Sequence, residues 1–324
     1  MVLVVSDDEI RDLLDLAGLV DVVSEALVAQ TTGETVRPER PHFPVGEGLD
    51  GEEPLGTGLT MPAYVHGEPL YATKLVGVHE GNVDRGLPTI HAQLALTDAR
   101  TGEPAALMSG TTITNARTGS IGAVAVRALA PETFTLGVLG AGVQARWQTR
   151  AIDTVASLSD VRVYSPSDSR AACAADLREA GVPATAVDSP TAAVEGADVV
   201  VTATTASEPV FPPESLSAGA LVVAIGAYTA ETQELAPAVV EEAAVFADVP
   251  AEVIQTGDFL CTDLGVEDLV ALGRLLGDGY EQQSPEGEGV TVVASVGSAV
   301  LDAATGVHLY ERAREADAGI EVSL

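Results

Sequence analysis

The sequence predicts an α/β protein that combines a doubly wound parallel sheet with a smaller α+β domain. Three observations support this fold class. An apolar run at 134–139, typical of a buried strand, ends in a glycine-rich turn that opens a helical pattern. After this turn, strand and helix patterns alternate, which is typical of a parallel sheet with helices on both faces. Before it, residues 57–117 contain successive runs with the alternation of β-strands.

Length and composition are consistent with two domains and restrict the partners. The chain has 324 residues, of which 46% are hydrophobic, so it can form a sizeable core. Its formal net charge is −32, from 48 acidic and 16 basic residues, and the acids are spread along the chain. This charge argues against nucleic acid and membrane partners, which bind basic patches. Because the Debye length falls to about 3 Å in 1 M salt, an evenly acidic surface suits a halophilic protein, which we expect here.

The sequence gives no signal for secretion, membrane insertion or metal binding. The stretch MVLVVSDDEIRDLL has a short apolar run followed by acids, unlike a signal peptide or a transmembrane segment. Cys173 and Cys261 form no C-x-x-C motif, and the five histidines lie in no metal-ligand spacing. We therefore expect a cytoplasmic protein without a metal.

The first part of the chain predicts two helices, a group of strands and a third helix. Ser6 and Glu9 form a capping-box pattern that begins the first helix, and a second helix is expected at about 21–30. The strand patterns are GLTMPAYV, PLYATKLVGV, PTIHAQLALTDA and PAALMSG, with an irregular loop at 79–88. A helix over about 115–130 has small residues on one face, which predicts that another element packs closely there.

The glycine-rich turn lies in TFTLGVLGAGVQARW, residues 133–147, and has the spacing G-x-G-x-x-A. Gly140 permits a tight turn, Gly142 lets the backbone approach a pyrophosphate, and Ala145 lets the helix pack on the strand. The helix N-terminus offers N–H groups to phosphates. This fingerprint predicts a Rossmann-type dinucleotide-binding domain, with candidate cofactor contacts at Gly140, Ala141, Gly142, Val143 and Gln144.

The chain after the fingerprint alternates between strand and helix. The predicted strands cover 161–164, 197–203, 220–225, 245–248 and 291–295, and the predicted helices cover 169–180, 190–195, 237–243 and the segment from 296 onward. Ligands lie at the carboxyl ends of strands in such sheets. The candidate cofactor contacts there are Thr202, Ala203, Thr204, Gly226 and Ala227.

The end of the second strand bears on the choice between NAD and NADP. An acidic residue at this position binds the adenosine ribose hydroxyls of NAD. Here the strand ends in YSPS, with no acid before Asp168. Ser165, Ser167 and Arg170 could hold the 2′-phosphate of NADP, which we favour, while Asp168 leaves NAD as the alternative.

Lysine usage singles out one residue. Fifteen of the sixteen basic residues are arginine, and the only lysine in the chain is Lys74. A lineage that has lost lysine elsewhere is expected to keep one where an amine is needed. Arginine cannot take over proton transfer, because it does not deprotonate in the useful pH range.

Several segments together carry a resemblance to a known family: RPERPHF, YATKLVGVHEGNVDRGLPT, TGEPAALMSGTTITNARTG and LGVLGAGVQA. With GADVVVTATTASEPVF and SVGSAVLDAA included, nearly the whole chain resembles the ornithine cyclodeaminase/mu-crystallin family. The resemblance implies a homodimer in which residues 1–115, joined by a C-terminal helix at 299–324, carry the substrate and the dimer interface. Residues 116–298 are then the NAD(P)-binding domain.

Carried over residue by residue, the family's substrate-carboxylate arginine falls on Arg40, a second arginine on Arg117 and the catalytic lysine on Lys74. The chemistry agrees, because an α-imino or α-amino acid needs a carboxylate clamp, which arginine supplies bidentately. A lysine beside two arginines has a lowered pKa and can exchange a proton with the reacting nitrogen. Thr89 and His91 are expected to line the same cavity, although we favour a structural or packing role for His91. The candidate cofactor set is completed by Arg117, Thr118, Tyr228, Val296 and Gly297.

The resemblance implies an NAD(P)-dependent oxidoreductase for a small α-imino or α-amino acid, such as a ketimine or pyrroline-2-carboxylate reductase or an alanine dehydrogenase. Tyr228 departs from the cyclodeaminase pattern, since it stands where those enzymes carry an aspartate, with Glu231 nearby. This departure favours the reductase branch. Two alternatives stay open: an ornithine cyclodeaminase, which converts L-ornithine to L-proline and ammonia with catalytic NAD, and a non-catalytic crystallin-like NAD(P)-binding protein.

Overall fold

The computed structural model describes residues 1–277 and 289–323 of the chain. The chain divides into two compact units. Unit 1 contains Met1–Asp15, Thr32–Arg117 and Ala299–Leu324. Unit 2 contains Leu16–Thr31 and Thr118–Ser298.

In chain order, the strands are β1 (Val2–Val5), β2 (Thr35–Val36), β3 (His42–Val45), β4 (Gly56–Val65), β5 (Leu70–Val78), β6 (Ile90–Asp98), β7 (Pro104–Ser109), β8 (Thr133–Leu139), β9 (Ser157–Tyr164), β10 (Ala184–Ala186), β11 (Val199–Thr202), β12 (Leu221–Ala224), β13 (Ala244–Ala247), β14 (Val270–Ala271), β15 (Thr291–Ala294) and β16 (Ile320–Val322).

The α-helices are α1 (Asp7–Leu13), α2 (Leu16–Thr32), α3 (Gly110–Leu129), α4 (Val143–Asp153), α5 (Ser169–Glu179), α6 (Pro190–Val194), α7 (Pro237–Glu241), α8 (Pro250–Val253), α9 (Gly257–Leu260), α10 (Leu272–Leu276) and α11 (Ala299–Glu315). Short 3₁₀ helices cover Glu80–Arg85, Pro213–Ser215 and Val266–Asp268.

Unit 1 is built on one mixed sheet with the order β16-β1-β7-β6-β5-β4-β2, and β3 pairs with β4. Strands β1 and β7 are parallel, whereas β4 to β7 form an antiparallel meander. Helix α11 packs on β4, β5 and β6. Gly306 permits this approach, because a Cβ there would lie 2.2 Å from a methyl carbon of Leu94. The predicted α+β unit completed by the C-terminal helix is confirmed.

Unit 2 is built on a parallel sheet with the order β10-β9-β8-β11-β12-β15-β13-β14. Every pairing in this sheet is parallel. The strand order reverses between β8 and β11, and dinucleotides bind at this kind of switch point in doubly wound sheets. The predicted doubly wound fold is therefore confirmed.

The small residues of α3 mark a close helix contact, as the sequence predicts. A Cβ on Gly119 would lie 2.8 Å from the carbonyl oxygen of Trp147, and one on Gly122 would lie 2.1 Å from Oε1 of Gln148. The Gln148 side chain accepts a hydrogen bond from Gly122 N–H (3.1 Å) and donates one to Thr118 O (2.7 Å). Glycine in α3 thus lets α4 pack against its backbone.

Some boundaries differ from the sequence-based expectation. Helix α2 begins at Leu16 and groups with unit 2, although we expected this segment in the first domain. The reason is tertiary, since a Cβ on Gly273 would lie 1.9 Å from Leu27 O and Gln30 Nε2 donates to Asp248 O (2.7 Å). Helix α3 begins at Gly110, earlier than expected, and part of the expected irregular loop at 79–88 is a 3₁₀ helix.

Candidate active site

Lys74 lies in the middle of β5 and points into the core of unit 1. Alternation along β5 places Leu70, Ala72 and Lys74 on the buried face of the sheet. Lys74 is opposite Met61 on one side and Leu94 on the other, and only 2% of its surface is exposed. A buried ammonium group is costly unless a partner compensates its charge.

The partner of Lys74 is Asp302, in the first turn of α11. Lys74 Nζ lies 2.6 Å from Asp302 Oδ2, and Arg117 Nε lies 3.0 Å from Asp302 Oδ1. Lys74 also donates to Thr114 Oγ1 (3.3 Å), whose hydroxyl donates to Gly110 O (2.7 Å). We call Lys74, Arg117 and Asp302 the ionic triad. All three belong to unit 1, and all three are buried.

Asp302 was missed in the sequence analysis, although a signal was present. The segment SVGSAVLDAA places one acid within an otherwise apolar and small-residue run. An acid at such a position is expected to be buried, and buried carboxylates require a partner. The sole lysine of the chain is that partner.

The triad tunes the protonation of Lys74. Burial lowers the pKa of Lys74, Asp302 raises it, and the charges of Arg117 and Arg40 lower it, with a net pKa of about 8. Burial raises the pKa of Asp302, but the neighbouring charges of Arg117 and Lys74 outweigh burial, so the net pKa shift is downward. With Lys74 protonated, two cations and one anion leave the triad with a net positive charge, suited to an anionic ligand.

The charge of Arg40 acts on Lys74. Arg40 lies in the segment between β2 and β3, is partly exposed, and contributes to the lowered pKa of Lys74. His91 is different. It pairs with Gly77, and strand alternation puts it on the sheet face opposite Lys74, so His91 does not line the same cavity, and the structural or packing role that we favour for it stays a prediction. Thr89 is half-buried, and its carbonyl accepts from His79 N–H (2.8 Å).

The fingerprint loop of unit 2 depends on backbone geometry. Gly140 has φ of +106°, and a Cβ there would lie 2.4 Å from Ala203 O, so no other residue fits. Gly142 caps α4, and a Cβ on it would meet nothing within 4 Å. No side chain caps the helix, and Val143 is 56% exposed. The open space and uncapped N–H groups fit a pyrophosphate.

The end of β9 carries a cluster of hydroxyl groups. Ser167 Oγ lies 2.7 Å from Ser169 Oγ, and Ser165 Oγ lies 3.2 Å from Ser169 Oγ. Arg170 donates to Ser165 O (3.0 Å) and pairs with the exposed Asp188 (3.2 Å). The structure thus brings together Ser165, Ser167 and Arg170 and adds Ser169, which the sequence analysis missed. Asp168 is exposed and makes no side-chain cap for α5.

The carboxyl ends of β11 and β12 are joined by Glu234. Its Oε2 accepts from Thr202 Oγ1 (2.8 Å) and Gly226 N (2.7 Å), and its Oε1 accepts from Thr204 N (2.6 Å). The N–H groups of Glu234 (2.6 Å) and Leu235 (2.8 Å) in turn donate to Asp258 Oδ1. Both acids were missed in the sequence analysis, because TQEL and TGDFL contain no motif.

The other cofactor candidates are placed as follows. The N–H groups of Val296 (3.1 Å) and Gly297 (2.8 Å) donate to Asp248 and are therefore not donors for a ligand. Tyr228 is 55% exposed, and its N–H donates to Thr232 Oγ1 (3.1 Å). Glu231 is exposed.

Residues 1–277 and 289–323 contain neither a candidate metal-binding group nor a candidate membrane-spanning helix. There, no group of three or more His, Cys, Asp or Glu side chains could hold a metal ion. In that same part of the chain, no helix is both long and apolar enough to cross a lipid bilayer.

The fold and these sites define a two-unit α/β protein with a dinucleotide fingerprint in one unit and a buried lysine-centred triad in the other. The chain belongs to the ornithine cyclodeaminase/mu-crystallin family, whose profile matches residues 1–317.

Individual relatives agree in length and fold. The chain is 32% identical to a Δ1-pyrroline-2-carboxylate reductase from Bacillus cereus over 334 aligned positions, 99% of both chains. A solved structure of the Thermococcus litoralis Δ1-pyrroline-2-carboxylate reductase with NADH and L-proline has a TM-score of 0.90 and 28% identity, covering 99% of this chain and 100% of that one. An archaeal alanine dehydrogenase dimer with bound NAD has a TM-score of 0.88 and 26% identity, covering 100% and 99%.

Proposed function

We propose that the chain is an NAD(P)-dependent oxidoreductase that reduces the C=N bond of a small α-imino acid. The favoured substrate is a cyclic imine of the pyrroline-2-carboxylate class, with the acyclic imine of pyruvate as the alternative. The observation that carries the proposal is the buried lysine with a pKa of about 8 beside two arginines. Relatives of similar length that act as pyrroline-2-carboxylate reductases support it.

Lys74 is the proposed proton donor. Its Nζ is held 2.6 Å from Asp302 Oδ2 and 3.3 Å from Thr114 Oγ1, which fixes the direction of the ammonium group. A pKa of about 8 lets Lys74 carry a proton near neutral pH and still release it to a basic nitrogen. In the reverse direction, neutral Lys74 would take the proton from the amino acid.

Arg117 and Arg40 are the proposed carboxylate clamp. Arg117 uses Nε for Asp302, and its two Nη groups would be the donors to a substrate carboxylate. Asp302 therefore orients both the proton donor and one half of the clamp. Arg40 contributes a second positive charge in the same field. A planar guanidinium binds a carboxylate through paired hydrogen bonds.

Apart from Arg117, the proposed cofactor residues lie in unit 2. When bound, the nicotinamide dinucleotide supplies the hydride for imine reduction. Gly140 and Gly142 shape the loop that would accept the pyrophosphate, and the first N–H groups of α4 would bind it. Arg146 steadies this loop, because its Nη1 donates to Ala141 O (2.6 Å) and its Nε donates to Asp176 (2.7 Å).

We propose NADP as the preferred form of the cofactor. The support is the convergence of three serine hydroxyls and Arg170 at the end of β9, where an acid would favour NAD. Replacing Arg170 by alanine is expected to weaken NADPH binding about tenfold and to leave NADH binding unchanged. Arg178→Ala, on the same helix, is the control. Equal affinity of the wild type for NADH and NADPH would contradict the preference.

We also propose that two copies of the chain associate. The sheet face of unit 1 opposite Lys74 carries exposed apolar side chains: Val4, Tyr71, Leu75 and Leu107. Val4 pairs with Leu107 across β1 and β7. Strands β5, β6 and β7 are hydrogen-bonded neighbours, so Tyr71 and Leu75 on β5 lie on the same face of the sheet and the four residues form one patch. Light scattering is expected to give a dimer for the wild type and a monomer for Leu107→Glu. A monomeric wild-type protein in this measurement would contradict the proposal.

The first experiment is a nicotinamide absorbance assay in molar KCl. Pyrroline-2-carboxylate, pyruvate with ammonia, and L-ornithine are offered separately with each cofactor, and proline is assayed in the ornithine reaction. Net oxidation of NADPH or NADH with an imine, and no proline from ornithine, is the expected result. Proline formation from ornithine without net cofactor change would instead identify a cyclodeaminase. Cofactor binding without any turnover would favour the non-catalytic alternative.

A further inference from the structure

Glu234 is a fully buried acid whose hydrogen-bond partners are all donors. The Thr202 hydroxyl and the backbone N–H groups of Thr204 and Gly226 converge on its two oxygens. An ionised carboxylate accepts all three bonds, whereas a protonated one would turn a donor towards one of them. The contacts therefore fit the charged form of Glu234.

Among the residues that the structure describes, this negative charge has a second acid behind it and forms no salt bridge. Asp258 Oδ1 accepts from the N–H groups of Glu234 and Leu235, and both acids are at most 1% exposed. Burial raises the pKa of Glu234, and burial raises the pKa of Asp258 to about 7. In the part of the chain that the structure describes, neither carboxylate forms a salt bridge with lysine or arginine. Among the described residues, the groups that hold this charge are hydrogen-bond dipoles.

The position of Glu234 relates this charge to the dinucleotide fold. Its partners are the last residue of β11 and the residues two positions beyond the ends of β11 and β12. These strands lie on the far side of the switch point from β9, where the adenosine phosphate candidates cluster. In a doubly wound sheet, the two sides bind the two mononucleotide halves, so β11 and β12 serve the nicotinamide half.

We propose that Glu234 supplies a fixed negative charge at the nicotinamide half of the site and so binds the oxidised cofactor more tightly relative to the reduced one. The oxidised ring carries a positive charge, and the reduced ring is neutral. A buried unit charge discriminates between them because the interior screens it less than water does. Asp258 is a positioning residue that fixes the backbone of Glu234. This inference rests on the proposed function, since it requires a nicotinamide cofactor.

The test compares Glu234→Gln with the wild type by cofactor binding. The Kd for NADPH is measured by nicotinamide fluorescence, and the Kd for NADP⁺ by competition against NADPH. Glutamine keeps the side-chain shape but leaves one hydrogen-bond donor without an acceptor, so both NADPH and NADP⁺ are expected to bind somewhat more weakly. The diagnostic quantity is the ratio of the two dissociation constants, because NADP⁺ affinity is expected to fall about tenfold more than NADPH affinity. Equal losses for both forms, or no loss, would overturn the proposal.

The matched control is Glu231→Gln, the same change at an exposed site three positions earlier. It is expected to leave both dissociation constants within about twofold, since solvent screens its charge. If Glu234→Gln does not fold, Thr202→Val takes its place, because it keeps the side-chain shape and removes the hydroxyl that donates to Glu234 Oε2. Losing this donor disfavours the ionised form of Glu234, so Thr202→Val is expected to shift the ratio in the same direction, and equal losses there would reject the proposal. A wild type that binds neither form would instead reject the proposed function.

Discussion

The ionic triad of unit 1 and the fingerprint loop of unit 2 are specified in different ways. Lys74, Arg117 and Asp302 lie far apart in the sequence, and side-chain chemistry holds them together within 2.6 to 3.0 Å. The fingerprint loop is a short contiguous segment in which missing side chains set the geometry, as at Gly140 and Gly142. A functional group needs specific atoms, whereas a phosphate loop needs room and free backbone N–H groups.

This difference predicts which substitutions each region tolerates. In the triad, a substitution that preserves shape is expected to remove the proposed function, because charge or a titratable proton is lost. In the loop, a substitution that preserves chemistry is expected to weaken the proposed cofactor binding, because a methyl group occupies needed space. The substitutions below test this contrast, beginning with the largest expected effect.

Lys74→Arg is expected to reduce kcat for imine reduction about 10³-fold. Arginine keeps the positive charge beside Asp302 but does not release its proton in the working pH range. General acid catalysis typically contributes about 10² to 10⁴-fold, which sets the scale. Steady-state kinetics measures the loss, and circular dichroism checks the fold. Activity within threefold of the wild type would show that Lys74 is not the proton donor.

Asp302→Asn is expected to destabilise the protein by about 3 to 5 kcal/mol, because it leaves Lys74 and Arg117 buried without an anion. Chemical denaturation in constant molar salt measures the free energy of unfolding. Glu315→Gln, at an exposed position near the end of the same helix, is the control and is expected to change it by less than about 0.5 kcal/mol. Equal stability of the two variants would mean that the triad is not a charge-compensated unit.

Gly140→Ala and Gly142→Ala sharpen the contrast within the fingerprint loop. Gly140→Ala is expected to cost about 2 kcal/mol of unfolding free energy, since φ is +106° and the Cβ meets Ala203 O. Gly142→Ala is expected to leave stability unchanged, because its φ is −83° and the Cβ meets open space. It is instead expected to weaken cofactor binding about tenfold. Thermal melts and cofactor titrations separate the two effects; a stable Gly140→Ala would contradict the steric argument.

The pH profile tests the electrostatics of the triad. Imine reduction needs protonated Lys74, so kcat/KM for the imine should fall as pH rises through about 8. The reverse oxidation needs neutral Lys74 and should rise through the same range. Asp302 raises the pKa of Lys74, so in Asp302→Asn both limbs should move to lower pH, by about one unit. If the pH dependence of either reaction stays unchanged in Asp302→Asn, Asp302 does not act on the pKa of Lys74.

Much of the fold could be predicted because it depends on local patterns. The strands β4 to β7, the capping box at Ser6 and the helix that follows Gly142 were all predicted, since alternation, caps and glycine turns are contiguous signals. Short strands such as β10 and β14 were not, because two or three residues carry no period. The grouping of α2 with unit 2 was missed because it depends on contacts with Gly273 and Asp248, far along the chain.

The sequence by itself determined the fold class and the fingerprint and singled out Lys74 as the sole lysine, because composition and local spacing record them directly. Only the tertiary structure decided what surrounds Lys74. It brought Asp302 from the far end of the chain to within 2.6 Å of Nζ and turned His91 to the opposite sheet face. It likewise joined Glu234 to the ends of β11 and β12. Partners distant in sequence are chosen by packing and charge compensation, which a one-dimensional pattern does not encode.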